Sequence, residues 1–217
     1  MRSKTQIGFN LYLITDRQQT GGIGLTDVVE EALKGGVLGV QLREKDLSGR
    51  ELYELAYDLR KLTAKYDARL IINDRVDIAL AVEADGVHLG MNSLPLHRAR
   101  KIIGSGMLIG FSCHNQINAI MAQENGADFI TFGPVYYTPS KANYGKPVGV
   151  EKLETVSHLL DIPVFALGGI KQGNIPEVLA AGASGIALVS AIIASDDPRS
   201  EAESIVSMLP SLPSRET

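Results

Sequence analysis

Short apolar runs alternate along this chain with longer amphipathic segments, and the alternation repeats eight times. The runs cover residues 11–14, 37–43, 70–72, 86–89, 108–111, 129–132, 163–167 and 185–189. Each is too short for a stable helix and is bounded on at least one side by Gly, Asp, Asn or Ser, so each is read as a buried strand leaving into a loop. Between them the spacing turns helical. Leu52, Leu55, Ala56, Leu59 and Leu62 form one apolar stripe with charges opposite, and Ser48 stands three residues before Glu51, as in a capping box. Thr26 is placed to cap a helix carrying Val28, Val29, Ala32 and Leu33, which Gly35-Gly36 stops. Further helices are expected after Pro95 and over 115–124, 150–160 and 175–181. Asp197-Pro198 supplies an N-cap and a proline at the first position of the last one.

Strand and helix alternating eight times with no inserted second domain predict an α/β fold, a single-domain (β/α)8 TIM barrel over 1–217. The Ser- and Pro-rich tail, 210–217, is expected to fray. A weak internal repeat favours closure. Gly36-Val-Leu-Gly-Val-Gln-Leu42, Ala84-Asp-Gly-Val-His-Leu89, Gly126-Ala-Asp-Phe-Ile-Thr-Phe132 and Gly182-Ala-Ser-Gly-Ile-Ala-Leu188 each feed an apolar strand from a small-residue turn. They are the second, fourth, sixth and eighth strands, and alternate strands fill the interior layers of such a barrel. Helix–Gly–strand turns occur in any βα protein, so the repeat favours the barrel without establishing it.

Composition adds little to the fold but narrows the partners. A hydrophobic fraction of 45% with 21% charged residues is that of an ordinary globular chain. The net charge of −4, without basic runs or interleaved aromatics, speaks against nucleic acid or an anionic membrane as partner. Cys113 is the only cysteine, which rules out an intrachain disulfide and a cysteine-rich zinc site. With no signal-like or membrane-length apolar segment, the cytoplasm is the expected compartment.

In a barrel of this kind the active site lies at the C-terminal ends of the strands. Those positions hold Asp16, Gln41, Arg43, Lys45, Asn73, Asp74, His88, Ser112, His114, Gly168, Gly169 and Ser190, together with a long polar loop between Phe132 and Gly149 that carries Thr138, Ser140 and Lys141. Loops of this length in a compact domain are usually functional or disordered, so an anion site and a solvated excursion are both open. Gln41, Arg43 and Lys45 share a strand face by parity, which keeps Glu44 and Asp46 off that face. Arg43, Lys45 and Lys141 could surround an anion. Gly168-Gly169 and Val189-Ser190 follow the seventh and eighth strands, the usual phosphate corner, although a Gly pair also serves simply to close a tight turn. Asp74 could equally cap the next helix. His88 reads as a satisfied barrel histidine, His114 beside Ser112 as a possible acid–base group, and His97 and His158 as surface residues. A histidine metal cluster has no support.

Tyr12-Leu-Ile-Thr-Asp16, Gln41-Leu-Arg-Glu-Lys45, Ile72-Asn-Asp74, Gly110-Phe-Ser-Cys-His114, Gly133-Pro-Val-Tyr-Tyr-Thr-Pro-Ser-Lys141, Ala166-Leu-Gly-Gly-Ile170 and Val189-Ser-Ala-Ile192 resemble, in order and spacing, the thiamin phosphate synthase family and its relatives, the TenI-type thiazole tautomerases. The resemblance implies coupling of a pyrimidine diphosphate to a thiazole phosphate, giving thiamin phosphate and pyrophosphate in thiamin biosynthesis. It implies that Gln41, Arg43, Lys45, Asn73 and Lys141 hold the diphosphate and that Asp74 binds Mg2+. By the same resemblance, Ser112 contacts the pyrimidine, Thr138 and Ser140 the thiazole, and Gly168, Val189 and Ser190 its phosphate. Lys141, Ser112 and His114 are the catalytic candidates, and a homodimer or other small homo-oligomer is implied; the apolar stretch from Met91 to Leu96 is open to reading as a contact or as a core-facing segment.

One position departs from the synthase pattern. Ser93 stands where that pattern has an acidic magnesium ligand, which weakens the expected metal site. Ser93 and Tyr144-Gly-Lys-Pro147 are closer to the tautomerase branch, in which His114 would move the proton without a metal. The full Gln-Leu-Arg-Glu-Lys set favours the synthase, because a tautomerase has no diphosphate to hold. A non-catalytic binder of thiazole phosphate is the remaining alternative.

Overall fold

The computed structural model describes residues 7–139 and 146–212. Its strands are β1 (Leu11–Ile14), β2 (Gly39–Leu42), β3 (Arg69–Asn73), β4 (Gly86–Leu89), β5 (Leu108–Cys113), β6 (Phe129–Phe132), β7 (Val164–Leu167) and β8 (Gly185–Leu188). They follow one another in sequence order around a closed barrel. The helices are α1 (Leu25–Lys34), α2 (Gly49–Lys65), α3 (Val76–Ala81), α4 (Leu96–Ile103), α5 (Gln116–Glu124), α6 (Val150–Leu159), α7 (Ile175–Ala180), α8 (Ser190–Ile193) and α9 (Pro198–Ser207). The fold is the expected (β/α)8 barrel. Within it the chain forms two compact units, one of Gly8–His88 with the chain from Leu188, the other built on Leu89–Ala187.

In the first unit β1, β2 and β3 pair in parallel, with Leu13 opposite Val40 and Val40 opposite Leu70. All four residues of both β1 and β2 are buried. Burial on both faces is why these strands read as continuous apolar runs rather than alternating ones. Helix α2 begins as its sequence predicts: the Glu51 N–H donates to Ser48 Oγ at 3.3 Å, and the Ser48 N–H donates to the Glu51 carboxylate at 2.9 Å. Thr26 does not cap α1. That helix starts from Gly24, whose carbonyl accepts from the Asp27 and Val28 N–H groups, and this brings Leu25 into the buried face one residue earlier than the polar signal suggests.

The second unit pairs β5 through β8, with Ser112 opposite Thr131 and Phe132 opposite Ala166. β5 runs two residues beyond its apolar core, because Ser112 and Cys113 still find partners on β6. Phe129 and Phe165 meet edge to face with centroids 5.5 Å apart.

The repeat on alternate strands has a physical cause. Asp85, just before β4, accepts the Leu70 N–H at 2.8 Å and pairs with Arg60 and Arg69. Asp128, just before β6, accepts the Ile109 N–H at 2.7 Å and pairs with Arg100. Ser184, before β8, accepts the Val164 N–H through its hydroxyl at 3.3 Å. In each case a short polar side chain satisfies a backbone donor in the first two residues of the preceding strand, at the end of the barrel away from the candidate residues. Of the tail, the Pro210 carbonyl accepts from Asn10 at 2.6 Å, and residues 213–217 lie outside the described set.

Candidate active site

The first unit carries the β2 end with its cations. Gln41 is 2% exposed and donates through Nε2 to the Tyr12 hydroxyl at 3.0 Å, and that hydroxyl lies 3.4 Å from His88 Nδ1. Burial pushes the His88 imidazole down to about 3, with the Arg43 charge adding to the effect. His88 is therefore neutral at ordinary pH, the satisfied barrel histidine that its place in a strand suggests. Burial likewise raises the Tyr12 phenol, so the layer of Tyr12, Gln41 and His88 is polar but uncharged.

Beyond this layer Arg43 is half-buried and Lys45 exposed. A cleft of about 220 Å³ at this strand end is lined by Asp16, Gln18, Arg43, Glu44, Lys45 and Asp46. Arg17, Arg60, Arg69, Arg75, Arg100 and Arg199 each pair with a carboxylate. Among the described residues neither Arg43 nor Lys45 has such a partner. β2 stops at Leu42, so strand parity does not divide these residues and all four line the cleft, but Glu44 and Asp46 both turn to Arg17, at 3.4 and 2.7 Å.

At the end of β3, Asn73 is half-buried and Asp74 exposed. Asp74 has φ 64° and does not cap α3, whose N-cap is Arg75 without a side-chain bond. A non-glycine residue in this conformation is uncommon. Val189 and Ser190 follow β8, and Ser190 is the exposed first residue of α8, a four-residue helix that the sequence pattern does not predict.

The second unit carries the remaining candidates. Ser112 Oγ accepts from the Thr131 hydroxyl at 3.4 Å. His114 Nδ1 lies 2.6 Å from the Gly133 carbonyl; a carbonyl only accepts, so Nδ1 carries the proton and Nε2 is left as the basic nitrogen. The long loop is anchored at its root. The Val135 and Tyr136 N–H groups donate to the Leu167 and Gly168 carbonyls at 2.9 and 3.0 Å, and the returning leg donates from Val148 to Pro134 at 2.8 Å. Gly169 has φ 66°, and a Cβ there would stand 2.6 Å from the Tyr137 carbonyl oxygen. The Gly168-Gly169 pair thus has a structural task, admitting the loop root. Thr138 is half-buried, while Ser140, Lys141 and Tyr144 lie outside the described residues. Ser93 closes a turn, its hydroxyl accepting from the Gly90 N–H at 2.8 Å. Within the candidate apolar contact, Met91 and Leu94 are exposed but Leu96 is buried. His158 is a helix-surface residue bonded to the Glu154 carbonyl.

The residues that sequence reasoning passed over are Thr15, Arg17 and Glu44. Glu44 is 6% exposed and accepts from the Thr15 hydroxyl at 2.7 Å and from the Arg17 N–H at 3.1 Å. A carboxylate at a strand end and off the ligand face, one place from Arg43, was the available signal.

Residues 11–192 match the family model described as thiamine monophosphate synthase. A candidate thiamine-phosphate synthase of Geobacter sulfurreducens is 61% identical over 205 residues, covering 94% of this chain and 96% of its own. The thiamine-phosphate synthase of Clostridium novyi is 45% identical over 191 residues, 88% of this chain and 94% of its own. Among solved structures, thiamine phosphate pyrophosphorylase from Pyrococcus furiosus superposes with a TM-score of 0.84 at 39% identity, covering 92% of this chain and 95% of that one. The matched span runs from β1 to α8 and so takes in every strand end described above: the chain belongs to the thiamine monophosphate synthase family.

Proposed function

We propose that the chain is a thiamin phosphate synthase, joining hydroxymethylpyrimidine diphosphate to a thiazole phosphate and releasing pyrophosphate. The observation that carries this is the pair Arg43 and Lys45, cations beside a cleft with no carboxylate partner among the described residues. The C–O bond of the pyrimidinylmethyl diphosphate breaks, its electron pair leaving with pyrophosphate. The lone pair of the thiazole nitrogen then forms the C–N bond. A departure of this kind needs charge stabilisation of the leaving group more than a strong base. Gln41, Arg43, Lys45, Asn73 and Lys141 are assigned to the diphosphate. Ser112 is assigned to the pyrimidine, Thr138 and Ser140 to the thiazole, and Gly168, Val189 and Ser190 to its phosphate.

The donor set bears on Mg2+. No group of three His, Cys, Asp or Glu side chains that could hold a metal occurs among the described residues. Asp74, exposed and not used as a helix cap, fits a magnesium ion held by one carboxylate and by the diphosphate itself, since such ions commonly bind through one or two carboxylates plus substrate phosphates. When bound, Mg2+ neutralises part of the leaving group's charge.

Incubation with both substrates and Mg2+, following thiamin phosphate by fluorescence after oxidation, tests the reading; no product at high enzyme concentration would sink it. Lys141→Ala should lose most turnover. A tautomerase reading is favoured by one observation, the Nε2 of His114, which has no hydrogen-bond partner among the described residues. His114→Ala should then abolish thiazole tautomerisation while leaving thiazole phosphate binding intact. No helix among the described residues is long and apolar enough to cross a membrane. We assign the enzyme to the cytoplasm as a small homo-oligomer, with Met91 (58% exposed) and Leu94 (38% exposed) as a contact that light scattering of a Met91→Glu variant would probe.

A further inference from the structure

The last rung between β1 and β2 runs from the Thr15 N–H to the Gln41 carbonyl at 2.9 Å. One step further along, the Arg43 N–H donates not to a strand carbonyl but to the Thr15 hydroxyl, at 2.9 Å. That hydroxyl passes its own proton to Glu44 Oε1 at 2.7 Å. Thr15 is fully buried and the Glu44 side chain is 2% exposed. Glu44 also accepts the Arg17 N–H at 3.1 and 3.2 Å, and the Arg17 guanidinium then forks onto Asp46 at 2.7 and 2.8 Å. The Arg17 hydrogen bonds hold the Asp46 carboxyl down to about 2, so the fork stays charged across the working range.

The sequence Arg43-Glu44-Lys45-Asp46 is thus divided between two tasks. The cations at odd positions carry no ion pair among the described residues, while each carboxylate at an even position is fastened to Arg17 or Thr15. The backbone just past β2 has no ladder to hold it, and an untethered loop would leave two long cationic side chains to order only when ligand arrives. We infer that Thr15 and Glu44 are positioning residues that pre-set the backbone carrying Arg43 and Lys45 for a diphosphate group. This rests on the synthase reading. The buried carboxylate also accepts the first N–H of the short 3-10 turn Arg17–Gln19, so it ties the end of β1 to the chain after β2, and burying a charge in this way is costly unless its bonds accomplish something.

The test uses the full-length protein and inorganic pyrophosphate with Mg2+, titrated by calorimetry, beside steady-state kinetics. Thr15→Val keeps the shape and removes the relay; Thr15→Ser keeps the hydroxyl. Thr15→Val should weaken pyrophosphate binding about tenfold and raise KM for the pyrimidine diphosphate similarly, as expected for one buried donor left without its acceptor. KM for the thiazole phosphate should stay unchanged, and Thr15→Ser should restore both values. Should Thr15→Val fail to fold, Glu44→Gln serves, with the same split expected between the two substrates. A lowered melting temperature with wild-type pyrophosphate affinity in the folded variant would reduce the network to ordinary stability and overturn the inference. Equal loss toward both substrates would do the same. If the wild-type protein neither binds pyrophosphate nor makes product, the synthase reading falls first and takes this inference with it.

Discussion

Gly168 and Pro134 leave no room for a side chain between them: a methyl group on Gly168 would stand 2.5 Å from the Pro134 Cβ. Gly168 also has φ 95°, a conformation that side chains oppose. Its carbonyl receives the Tyr136 N–H, so the same residue terminates β7 and holds the root of the long loop. Gly168→Ala combines backbone strain with overpacking and should cost about 2–4 kcal/mol in urea unfolding. Thiamin phosphate formation should fall further than lost stability explains, because the loop root shifts. Wild-type unfolding would show that the β7 turn tolerates a side chain.

Arg43 and Lys45 should matter through charge. Hydrogen bonds to charged groups contribute about 1.5–3 kcal/mol each, so Arg43→Ala should lower kcat/KM for the pyrimidine diphosphate roughly 10- to 150-fold. Arg43→Lys should recover only part, since an ammonium cannot reproduce the planar fork. Arg98, exposed on α4, is the control: Arg98→Ala should leave kcat/KM unchanged. Equal losses in both alanine variants would point to net charge and away from a cradle.

How far these residues could be found in advance depended on whether their signal was local. The eight strands were legible because burial on both faces leaves a continuous apolar run, and α2 because its capping box is written within four residues. Arg43 and Lys45 were legible as cations at a strand end, although β2 stops at Leu42 and strand parity does not reach them. Other features were not. α1 starts at Gly24 because of where Leu25 packs, which a polar residue two places on cannot report. α8 is hidden because four residues are too few to show a helical period. The partnership of Thr15 with Glu44 joins residues 29 apart, and only the β1–β2 register brings them together. The Gly168-Gly169 pair was legible as a special turn, but what stands against it comes from another strand's loop.

His88 gives a pH dependence with a definite sign. In the folded chain its imidazole is pushed from 6.5 down to about 3 by burial. The unfolded chain takes up a proton as pH falls through 6.5, while the folded chain stays unprotonated until about pH 3. Stability from the neutral buried ring is therefore full above pH 6.5 and is lost progressively between 6.5 and 3. The slope this one group adds is at most about 1.4 kcal/mol per pH unit. His88→Asn, which keeps an acceptor for the Tyr12 hydroxyl, should unfold with a flatter dependence on pH than wild type between about pH 6 and 4.5, a window set by the two ring values. Parallel curves would mean that the ring is protonated inside the fold.

Ser93 stands where the resemblance leads one to expect a second acidic magnesium ligand, and its geometry makes that expectation testable. The Ser93 hydroxyl accepts from the Gly90 N–H at 2.8 Å, while the Ser93 N–H donates to the Gly90 carbonyl at 3.0 Å. An aspartate can accept the same Gly90 N–H with one oxygen, as short polar side chains do in turns, and still present the other. Ser93→Asp should therefore keep the turn and add a hard, charged donor of the kind magnesium prefers. The Mg2+ concentration giving half-maximal synthase turnover should fall about fivefold, a gain near 1 kcal/mol of metal affinity. Turnover at saturating Mg2+ should hold, because the diphosphate cradle is untouched. Calorimetric titration of Mg2+ in the presence of pyrophosphate should show the same shift without catalysis. An unchanged or higher Mg2+ requirement, with the variant folded, would mean that position 93 does not face the metal in this chain and that Asp74 and the diphosphate hold it without a second carboxylate.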